Sequence, residues 1–445
     1  MITSSLWRGK RYAVLGLARS GAATVAALVA SGAQVTAWDA NEAARNSVLL
    51  RRQEPSSSLS GQDSGLLPAQ EHLTLADPLT LDLTGYEAVI VSPGVPLNRH
   101  PIAAHAKAHN VPIIGDIELF AQARAELPPN KVVGITGTNG KSTTTALIHH
   151  ICQTAGIPSL MGGNIGLPIL GRDPLPAGGI YVLELSSYQI DLTFSLDCDV
   201  AVLLNITPDH LDRYDGFSGY AASKARLFTM QSAAHDAVIC INDTPSYEIS
   251  TQAKGNVHRI AAGFCMDQSR WPALQGPHNA QNALAAIAAA QLLGIGEDAI
   301  DRALATFGGL PHRMERIREL NGVLYVNDSK ATNPTSAAPA LAAFPAIHWI
   351  LGGRAKGPDL DACAPYFKHV RAAYTIGEAG PIFARLLDTH MPVTPSDTLA
   401  CAVKAAAAAA RPGETVLLSP ACASFDQFSD FEARGEAFRA LVEAL

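Results

Sequence analysis

The sequence has no paired-cysteine motif, and it lacks both a long basic block and a long apolar run. Its seven cysteines are scattered along 445 residues, and none of them forms a CxxC pair. This argues against a cysteine-bound metal cluster or a disulfide framework and favours a reducing cytosol. The net charge of −7, without a concentrated basic segment, argues against nucleic acid as a partner.

Export and membrane signals are also missing. The first ten residues are polar and lack the apolar core of a signal peptide. The alanine-rich runs at 280–293 and 401–410 are too short and too interrupted to span a bilayer, so they predict buried helices. A composition of 48% hydrophobic and 16% charged residues indicates a well-buried globular protein. We therefore expect a cytoplasmic protein of about two to four domains.

The most informative motif is the stretch from Gly134 to Thr143, whose sequence is Gly-Ile-Thr-Gly-Thr-Asn-Gly-Lys-Ser-Thr. Apolar runs on both sides predict a strand, a glycine-rich turn and a helix. Backbone N–H groups and a helix N-terminus then converge on one point, as a phosphate requires. Lys141 adds a positive charge for the outer phosphates, and the Ser142 hydroxyl is a ligand for Mg²⁺. The pattern predicts a nucleoside triphosphate site, although the strict spacing would need glycine at Ile135.

The N-terminal segment begins with another turn of this kind, Gly16-Leu17-Ala18-Arg19-Ser20-Gly21. A predicted strand precedes it, a predicted helix follows it, and Asp39 ends the next strand about 20 residues on. This order is typical of a dinucleotide-binding turn, but Ala18 replaces the glycine that lets a pyrophosphate approach, which disfavours NAD. A site for another nucleotide or diphosphate and a purely structural turn both stay open.

The limits of this segment follow from its turns. Residues 53–70 are rich in Ser, Gly, Gln and Pro, which predicts a surface insertion with no chemistry of its own. Residues 86–91 predict a strand, and the Ser92-Pro93-Gly94 turn after it lies where open α/β sheets bind ligands. A plain tight turn explains it equally well. The first domain should end near residues 115–130, before the phosphate loop.

Polar residues follow the predicted strands downstream of the phosphate loop. The glycine-rich stretch 161–166 contains Asn164, and a buried strand ends in Glu184, where such folds hold Mg²⁺. His210 lies in a polar loop after the next strand, which favours a site over a core histidine without deciding between them. Lys224 lies on a predicted helix and, taken alone, is most simply a surface lysine.

The C-terminal part repeats the pattern of strands that end in polar loops. Asn279 and Asn282 precede an alanine-rich helix, which favours helix capping, with a contact to a base edge as the alternative. After a break at 308–315, three predicted strands lead into polar or glycine-rich loops, at 323–326, 347–351 and 416–418. In a doubly wound α/β sheet such loops share one edge, where ligands bind.

These loops together resemble those of the Mur ligase family. The shared motifs are Gly137-Thr138-Asn139-Gly140-Lys141-Ser142, Gly163-Asn164-Ile165-Gly166, Glu184-Leu185-Ser186-Ser187, Asp209-His210, Leu310-Pro311-His312-Arg313 and Asn327-Asp328-Ser329-Lys330-Ala331-Thr332-Asn333. The irregular phosphate loop is the family's own form. The last motif and a Ser-Pro-Ala-Cys-Ala-Ser segment resemble the branch that adds D-glutamate. The Asp-Asn-Pro-Arg sequence expected of siblings that add diaminopimelate or lysine is absent.

The resemblance implies three α/β domains. They are a Rossmann-like domain over residues 1–119 that binds a UDP substrate, a central P-loop ATPase-like domain over 120–310, and a Rossmann-like domain over 311–445 that binds an amino acid. The implied reaction is the ATP-dependent ligation of D-glutamate to UDP-N-acetylmuramoyl-L-alanine through an acyl phosphate, in peptidoglycan synthesis. Another Mur-type or folylpolyglutamate-type amide ligase is the alternative. A nucleotide-binding protein with a degenerate site is a further alternative. It is disfavoured because four residues occur together, namely Lys141, Glu184, His210 and Lys224.

The resemblance also implies roles for single positions. The implied catalytic residues are Lys141, Asn164, His210, Lys224 and Lys330. The implied ATP site comprises Gly137, Thr138, Asn139, Gly140, Lys141, Ser142, Thr143, Asn282, Arg313 and Asp328. The implied UDP-substrate site comprises Arg19, Ser20, Asp39, Ser92, Gly94 and Asn164. The implied D-glutamate pocket comprises Thr332, Lys356, Ser424 and Phe431, beside Lys330.

Two Mg²⁺ ions are implied as cofactors, held by Ser142, Glu184, His210 and a carbamylated Lys224. Carbamylation turns the lysine ammonium into a carboxylate-like anion, which gives a chemical reason for a lysine beside a metal ion. We expect a monomer that contacts neither nucleic acid nor a membrane.

Overall fold

The computed structural model describes residues 1–50, 72–261, 266–355, 357 and 359–445. The predicted insertion at 53–70 and the predicted D-glutamate ligand Lys356 lie outside the described residues. The chain forms two compact units. The first consists of Met1–Ala261 and Ala285–Ile300, and the second of Ala262–Leu284 and Asp301–Leu445.

The first unit begins with a parallel sheet whose strands alternate with helices. Its described strands are β1 Arg11–Leu15, β2 Gln34–Trp38, β3 Leu73–Leu75, β4 Ala88–Val91 and β5 Ile113–Ile114. Their order is β3-β2-β1-β4-β5, and all pairs are parallel. The central strands β1 and β4 are almost entirely buried because helices cover both faces, which is why their sequences are continuous apolar runs.

A second parallel sheet of the first unit carries the phosphate loop. Its described strands are β6 Asn130–Thr136, β7 Ser159–Gly163, β8 Gly179–Glu184, β9 Val200–Leu203, β10 Asp236–Cys240 and β11 Asn256–Ile260. The order is β11-β10-β9-β6-β8-β7. Since β6 and β8 are parallel neighbours with Ile135 opposite Glu184, the loop after β6 and this acid meet at one edge. The glycine-rich stretch 161–166 forms the end of strand β7 up to Gly163, and the turn begins only at Asn164.

The helices follow the strands in the order that the sequence predicts. They are α1 Arg19–Ala30, α2 Glu42–Leu50, α3 Ile102–Ala108, α4 Asp116–Ala123, α5 Lys141–Thr154, α6 Ser187–Asp191, α7 Gly216–Thr229, α8 Thr244–Gln252, α9 Pro277–Leu292, α10 Glu297–Thr306, α11 Pro334–Ala342, α12 Gly380–Leu387, α13 Leu399–Ala409 and α14 Phe431–Glu443. The two alanine-rich runs form α9 and α13, as predicted. Within the described residues no helix is both long and apolar enough to cross a membrane.

The second unit contains a mixed sheet. Its described strands are β12 Glu315–Leu320, β13 Val323–Asn327, β14 Ile347–Gly352, β15 Val370–Ile376, β16 Val393–Asp397 and β17 Thr415–Leu418. The order is β12-β13-β17-β14-β15-β16, with β12 antiparallel to β13 and the other pairs parallel. Strand β12 is not among the predicted strands. Asn321 and Gly322 join it to β13 with φ values of 53° and 76°, a two-residue hairpin turn that their sequence favours.

The predicted α/β architecture of largely parallel sheets is therefore confirmed. One sheet lies within each of the three predicted domains. The boundaries after residues 119 and 310 stay predictions, since the two compact units do not test them.

Candidate active site

The phosphate loop joins the end of β6 to the start of α5. Gly140 precedes the helix with φ of 87°, and Gly137 has φ of 149°. A Cβ atom at Gly137 would lie 3.1 Å from Leu204 Cβ and 3.3 Å from backbone atoms of Asn205. Glycine adopts such backbone angles without the steric penalty of other residues. The two glycines therefore let the loop approach the chain after β9 and direct it into the first turn of α5.

Gly134 lies inside β6 and not in the loop. A Cβ atom there would lie 2.6 Å from Cys198 Sγ and 3.3 Å from Leu185 Cδ1, so packing against the sheet explains the glycine. The interpretation of Gly134 as a loop glycine is therefore wrong. Only the later glycines shape the loop, which is why the spacing departs from the strict pattern.

Asn205 engages two of the loop's backbone N–H groups. Thr138 N donates to Asn205 O at 2.7 Å, and Asn139 N donates to Asn205 Oδ1 at 2.9 Å. Lys141 Nζ donates to Gly137 O at 3.0 Å and to Thr138 O at 2.8 Å. The N–H groups best directed at a phosphate are thus those of the first turn of α5, which have no acceptor within their own helix.

Ser142, Glu184 and Asn164 form one hydrogen-bonded group at the carboxyl edge of this sheet. Ser142 Oγ donates to Glu184 Oε2 at 2.6 Å, and Asn164 Nδ2 donates to Glu184 Oε1 at 3.1 Å. Glu184 is only 2% exposed and ends β8. Hydroxyl and carboxylate oxygens are the hard donors that Mg²⁺ prefers. The chemistry of this donor set fits the predicted ion at Ser142 and Glu184.

Lys224 is buried on α7. Its side chain is 1% exposed, and its Nζ donates to Gly137 O at 2.8 Å and lies 4.7 Å from the centre of the Tyr220 ring. The interpretation of Lys224 as a surface lysine is therefore wrong. Burial, together with the nearby charge of Lys141, lowers the pKa of Lys224 well below the ordinary value for lysine. A neutral amine is the nucleophilic form that reacts with CO₂, so this environment favours carbamylation.

His210 lies in the loop after β9 with a partly exposed side chain, which is not the environment of a core histidine. The centre of its ring is 6.1 Å from that of Tyr220, the ring that Lys224 also contacts. The structure thus brings His210 and Lys224 to one aromatic ring. In the part of the chain that the structure describes, no three His, Cys, Asp or Glu side chains form a metal-binding group.

The turn after β1 is held by Asp39 and Ser92. Asp39 Oδ2 accepts a hydrogen bond from Leu17 N at 2.6 Å, and Ser92 Oγ donates to Gly16 O at 2.9 Å. A Cβ atom at Gly21 would lie 1.8 Å from Gly16 O, so this glycine permits the close contact of helix and strand. These residues have a structural role in the turn whether or not a ligand binds there.

Arg19, Ser20 and Gly94 flank the same turn. Arg19 begins α1 and is exposed, Ser20 follows it with partial exposure, and Gly94 is exposed in the loop after β4. A cation at the first turn of a helix, beside the carboxyl end of a parallel sheet, is well placed for a phosphate. The structure brings all five of these predicted residues of the first sheet to one edge.

A contact between a loop of the first sheet and a loop of the second sheet was not predicted. Arg213 Nη2 donates to Val95 O at 3.1 Å, and Asn98 Nδ2 donates to Asp212 O at 3.1 Å. The loop that carries His210 therefore contacts the loop that follows β4. Nothing in the residues around Arg213 indicates this partner, because the two loops are more than 100 residues apart.

Asp328 is buried in the second unit, directly after β13. Its Oδ2 accepts a hydrogen bond from Ser419 Oγ at 2.8 Å, and its Oδ1 accepts one from Met314 N at 3.2 Å. Burial raises the pKa of Asp328 to about 7, although the nearby charge of Arg313 acts in the opposite direction. The predicted ATP ligands Arg313 and Asp328 thus lie close together.

Asn279 and Asn282 lie inside α9, which begins at Pro277, so the prediction that they cap a helix is wrong. Asn282 Nδ2 donates to Asn279 Oδ1 at 3.0 Å, and Asn279 Nδ2 donates to Gln275 O at 3.1 Å. Asn282 is 3% exposed. Its role at a base edge stays a prediction.

The predicted amino-acid ligands that the structure describes lie at one edge of the mixed sheet. Lys330 Nζ is 3.7 Å from the centre of the Phe431 ring. Thr332 follows β13, and the buried Ser424 follows β17. Since β13 and β17 are parallel neighbours, the loops after them share the carboxyl edge of the sheet.

Two sequence profiles of known families match the chain. The Mur ligase middle domain matches residues 135–272, and the Mur ligase glutamate ligase domain matches residues 312–422. The chain is also 63% identical to the UDP-N-acetylmuramoylalanine–D-glutamate ligase of Novosphingobium aromaticivorans, over 100% of this chain and 97% of that protein. The chain belongs to the Mur ligase family. Proteins of the same name from Sphingopyxis alaskensis and Zymomonas mobilis are 61% and 58% identical, with 100% of both chains covered in each case.

Two solved structures of low sequence identity share the fold. UDP-N-acetylmuramate–alanine ligase from Thermotoga maritima matches with a TM-score of 0.58 at 16% identity, over 98% of this chain and 99% of that one. The E. coli FolC structure matches with a TM-score of 0.55 at 18% identity, over 74% of this chain and 93% of that one. At these identities the likeness concerns architecture alone.

Proposed function

We propose that this Mur ligase joins D-glutamate to UDP-N-acetylmuramoyl-L-alanine, with ATP converted to ADP and phosphate. The observation that carries the proposal is its 58–63% identity, over its whole length, to three proteins named for that activity. The reaction is a step in the synthesis of peptidoglycan precursors. A phosphate loop beside a buried carboxylate in the same chain agrees with an ATP-dependent ligase.

The first turn of α5 is the centre of the proposed ATP site. Lys141 supplies a positive charge to the phosphates, and the loop and turn from Gly137 to Thr143 supply backbone and hydroxyl donors. Asn282, Arg313 and Asp328 bind the base, phosphates and ribose in this proposal. Because Thr138 N and Asn139 N already donate to Asn205, we assign the main phosphate contacts to residues from Gly140 onward.

Ser142 and Glu184 hold one Mg²⁺ in this proposal, and His210 with a carbamylated Lys224 holds a second. Bound Mg²⁺ would neutralise the charge that gathers between ATP and the substrate carboxylate. Asn164 keeps Glu184 in position through the amide contact to Oε1. Lys224 is preorganised for modification because burial disfavours its ammonium form.

The proposed chemistry has two displacements. A carboxylate oxygen of the UDP-muramoyl substrate attacks the γ-phosphorus of ATP, the bond from that phosphorus to the bridging oxygen breaks, and ADP leaves. The amine nitrogen of D-glutamate then attacks the acyl carbon of the acyl phosphate, and phosphate leaves as the amide forms. Two protons leave the ammonium group of D-glutamate during this second step. Cationic side chains and backbone donors stabilise the negative charge along both steps.

The two substrates occupy different sheets in this proposal. Arg19, Ser20, Asp39, Ser92 and Gly94 bind the UDP substrate at the edge of the first sheet, with Asn164 near its reactive end. The D-glutamate carboxylates bind Lys330, Thr332, Ser424 and Lys356, with Phe431 as an apolar wall. A dicarboxylate requires such charge-assisted donors. The three-domain division at 119 and 310, a monomeric state and a cytoplasmic location complete the proposal.

A phosphate-release assay tests the proposed function. The protein is mixed with ATP, Mg²⁺ and UDP-N-acetylmuramoyl-L-alanine, and with one amino acid from a panel of D-glutamate, L-glutamate, D-aspartate, L-lysine and diaminopimelate. We expect release that depends on D-glutamate, with the ligated product visible by mass spectrometry. Release that depends on another amino acid would reassign the specificity. No release with any of them would contradict ligase activity on this acceptor.

A further inference from the structure

The peptide bond between Ser329 and Lys330 is held at both of its polar atoms. Its carbonyl, Ser329 O, accepts a hydrogen bond from Arg434 Nη2 at 2.8 Å. Its N–H, on Lys330, donates to His312 O at 3.0 Å. A peptide unit fixed at both ends cannot rotate without breaking one of these bonds, so the direction in which Lys330 leaves the backbone is set by these two contacts.

Arg434 is a buried cation that joins the two loops of the proposed amino-acid pocket. The residue is 1% exposed. Besides Ser329 O, it donates through Nε to Ser329 Oγ at 3.0 Å and through Nη2 to Cys422 O at 3.1 Å. Ser329 lies in the loop after β13 and Cys422 in the loop after β17. One guanidinium group thus fixes the spacing of the loops that carry Lys330 and Ser424.

The burial of Arg434 is costly, which indicates that its role is specific. Within the described residues it forms no ion pair, and its Nη1 is a buried donor without a hydrogen-bond partner. Burial lowers the pKa of Arg434 to about 10, so the group is still charged at neutral pH. An aliphatic side chain would fill this space at a smaller desolvation cost, so packing alone does not explain an arginine here.

Gly435, the next residue on α14, makes the second contact to this peptide possible. A Cβ atom at Gly435 would lie 2.1 Å from His312 Nδ1, which is far shorter than a van der Waals contact, so any larger residue would clash with the imidazole ring. The Gly435 carbonyl also accepts a hydrogen bond from Asn327 Nδ2 at 3.1 Å. Glycine at this helical position lowers the stability of the helix relative to alanine. It leaves room for His312, whose carbonyl accepts the hydrogen bond from Lys330 N.

We propose that Arg434 and Gly435 are positioning residues that set the Lys330 ammonium for a carboxylate of the amino-acid substrate. The proposal rests on the function proposed above and assigns two residues to it that do not themselves touch the substrate. Lys330 Nζ lies against the Phe431 ring, and Ser329 Oγ donates to Phe431 O at 2.8 Å, so the same α14 turn supports both the ammonium and the ring.

The test compares steady-state kinetics of Arg434→Lys, Arg434→Met and Gly435→Ala with the wild type, using the full chain. We expect the KM for D-glutamate to rise about tenfold in Arg434→Met and Gly435→Ala, as when Lys330 loses about one charge-assisted hydrogen bond to the substrate, and by less in Arg434→Lys, with the KM for ATP nearly unchanged. Arg434→Lys should be the mildest because it keeps the charge. Arg385→Met and Gly380→Ala serve as matched controls and should leave the kinetics unchanged. Arg385 is exposed on α12, and the atom nearest to a Cβ atom built at Gly380 would be Thr375 C, 3.7 Å away.

A second readout separates positioning from a general loss of structure. Without D-glutamate, hydroxylamine attacks the acyl carbon of the acyl phosphate, and phosphate leaves as a hydroxamate forms. We expect the variants to form hydroxamate at the wild-type rate. An unchanged KM for D-glutamate, or equal losses in ligation and hydroxamate formation, would overturn the positioning role. A wild type that ignores D-glutamate would instead refute the proposed function, so the two failures are distinguishable.

Discussion

Replacing Asp328 with asparagine should make the stability of the chain less dependent on pH. Burial raises the pKa of this carboxyl group from 3.8 to about 7, so the folded state holds its proton more tightly than the unfolded state does. The folded state is therefore favoured at low pH. Its stability falls as the pH rises from about 4 to about 7 and then levels off.

The size of the effect follows from the same shift. At about 1.4 kcal/mol per pKa unit, a change from 3.8 to about 7 corresponds to about 4 kcal/mol of unfolding free energy lost above pH 7. About 2 kcal/mol of that loss falls between pH 5.5 and pH 8.5. Asparagine does not titrate, and its amide can accept from Met314 N and donate to Ser419 Oγ. Asp328→Asn should therefore lose about 2 kcal/mol less than the wild type over this interval.

Trp349, one of the four tryptophans of the chain, lies beside this group and contributes to the signal. It is fully buried, and its Nε1 donates to Ser419 O at 2.7 Å, on the residue whose hydroxyl donates to Asp328. Urea unfolding followed by tryptophan emission, at pH 5.5 and pH 8.5, gives the difference between variant and wild type at each pH. Asp388→Asn, at an exposed position after α12, controls for the loss of a negative charge. Equal pH dependence of Asp328→Asn and the wild type would refute the argument from burial.

Three further substitutions test the phosphate loop and its neighbours. Lys141→Ala should abolish phosphate release while circular dichroism stays unchanged, and retained turnover would remove the assigned role of the loop. Lys224→Arg should be inactive because arginine forms no stable carbamate, so near-normal activity would contradict the carbamate. Gly163→Ala should lower both thermal stability and turnover, because its Cβ atom would lie 2.1 Å from Glu184 O. Gly178 is the control: it has a similar φ of 83°, and a Cβ atom there would have no atom within 4 Å. Gly178→Ala should therefore lose only a little stability.

The strand–loop–helix units could be predicted because their signals are local. An apolar run, a glycine turn and a Lys-Ser pair stand next to one another in the chain, and the contact between Ser142 and Glu184 follows once β6 and β8 are placed side by side. The hairpin of β12 and β13 was equally accessible, because Asn321-Gly322 is a sequence that favours a two-residue hairpin turn.

The burial of Lys224 could not be predicted from its neighbours in the sequence. Its environment consists of Gly137 O and the Tyr220 ring, and the carbonyl comes from a loop almost 90 residues away. The residues next to Lys224 are Ala, Ser and Arg, and such a sequence shows no apolar helical periodicity that would predict a buried side chain. The prediction for Gly134 was wrong because the local glycine spacing suggested a loop. The contact that requires glycine there is with Cys198, which is distant in the sequence.

The hydrogen bonds from Arg213 to Val95 O and from Asn98 to Asp212 O have a consequence for protein engineering. The proposed UDP-substrate residues and the phosphate loop lie in different segments of this chain, which suggests an exchange of the first segment with that of a relative. A chimera that replaces the first segment of this chain by that of a relative would also replace Val95 and Asn98. Asp212 and Arg213, two and three residues after His210, would then face foreign partners. Because Val95 O is a backbone atom, a graft at residue 119 should keep the backbone path at that position and an amide at the position of Asn98, so that the 209–215 loop with its proposed metal ligand keeps both contacts.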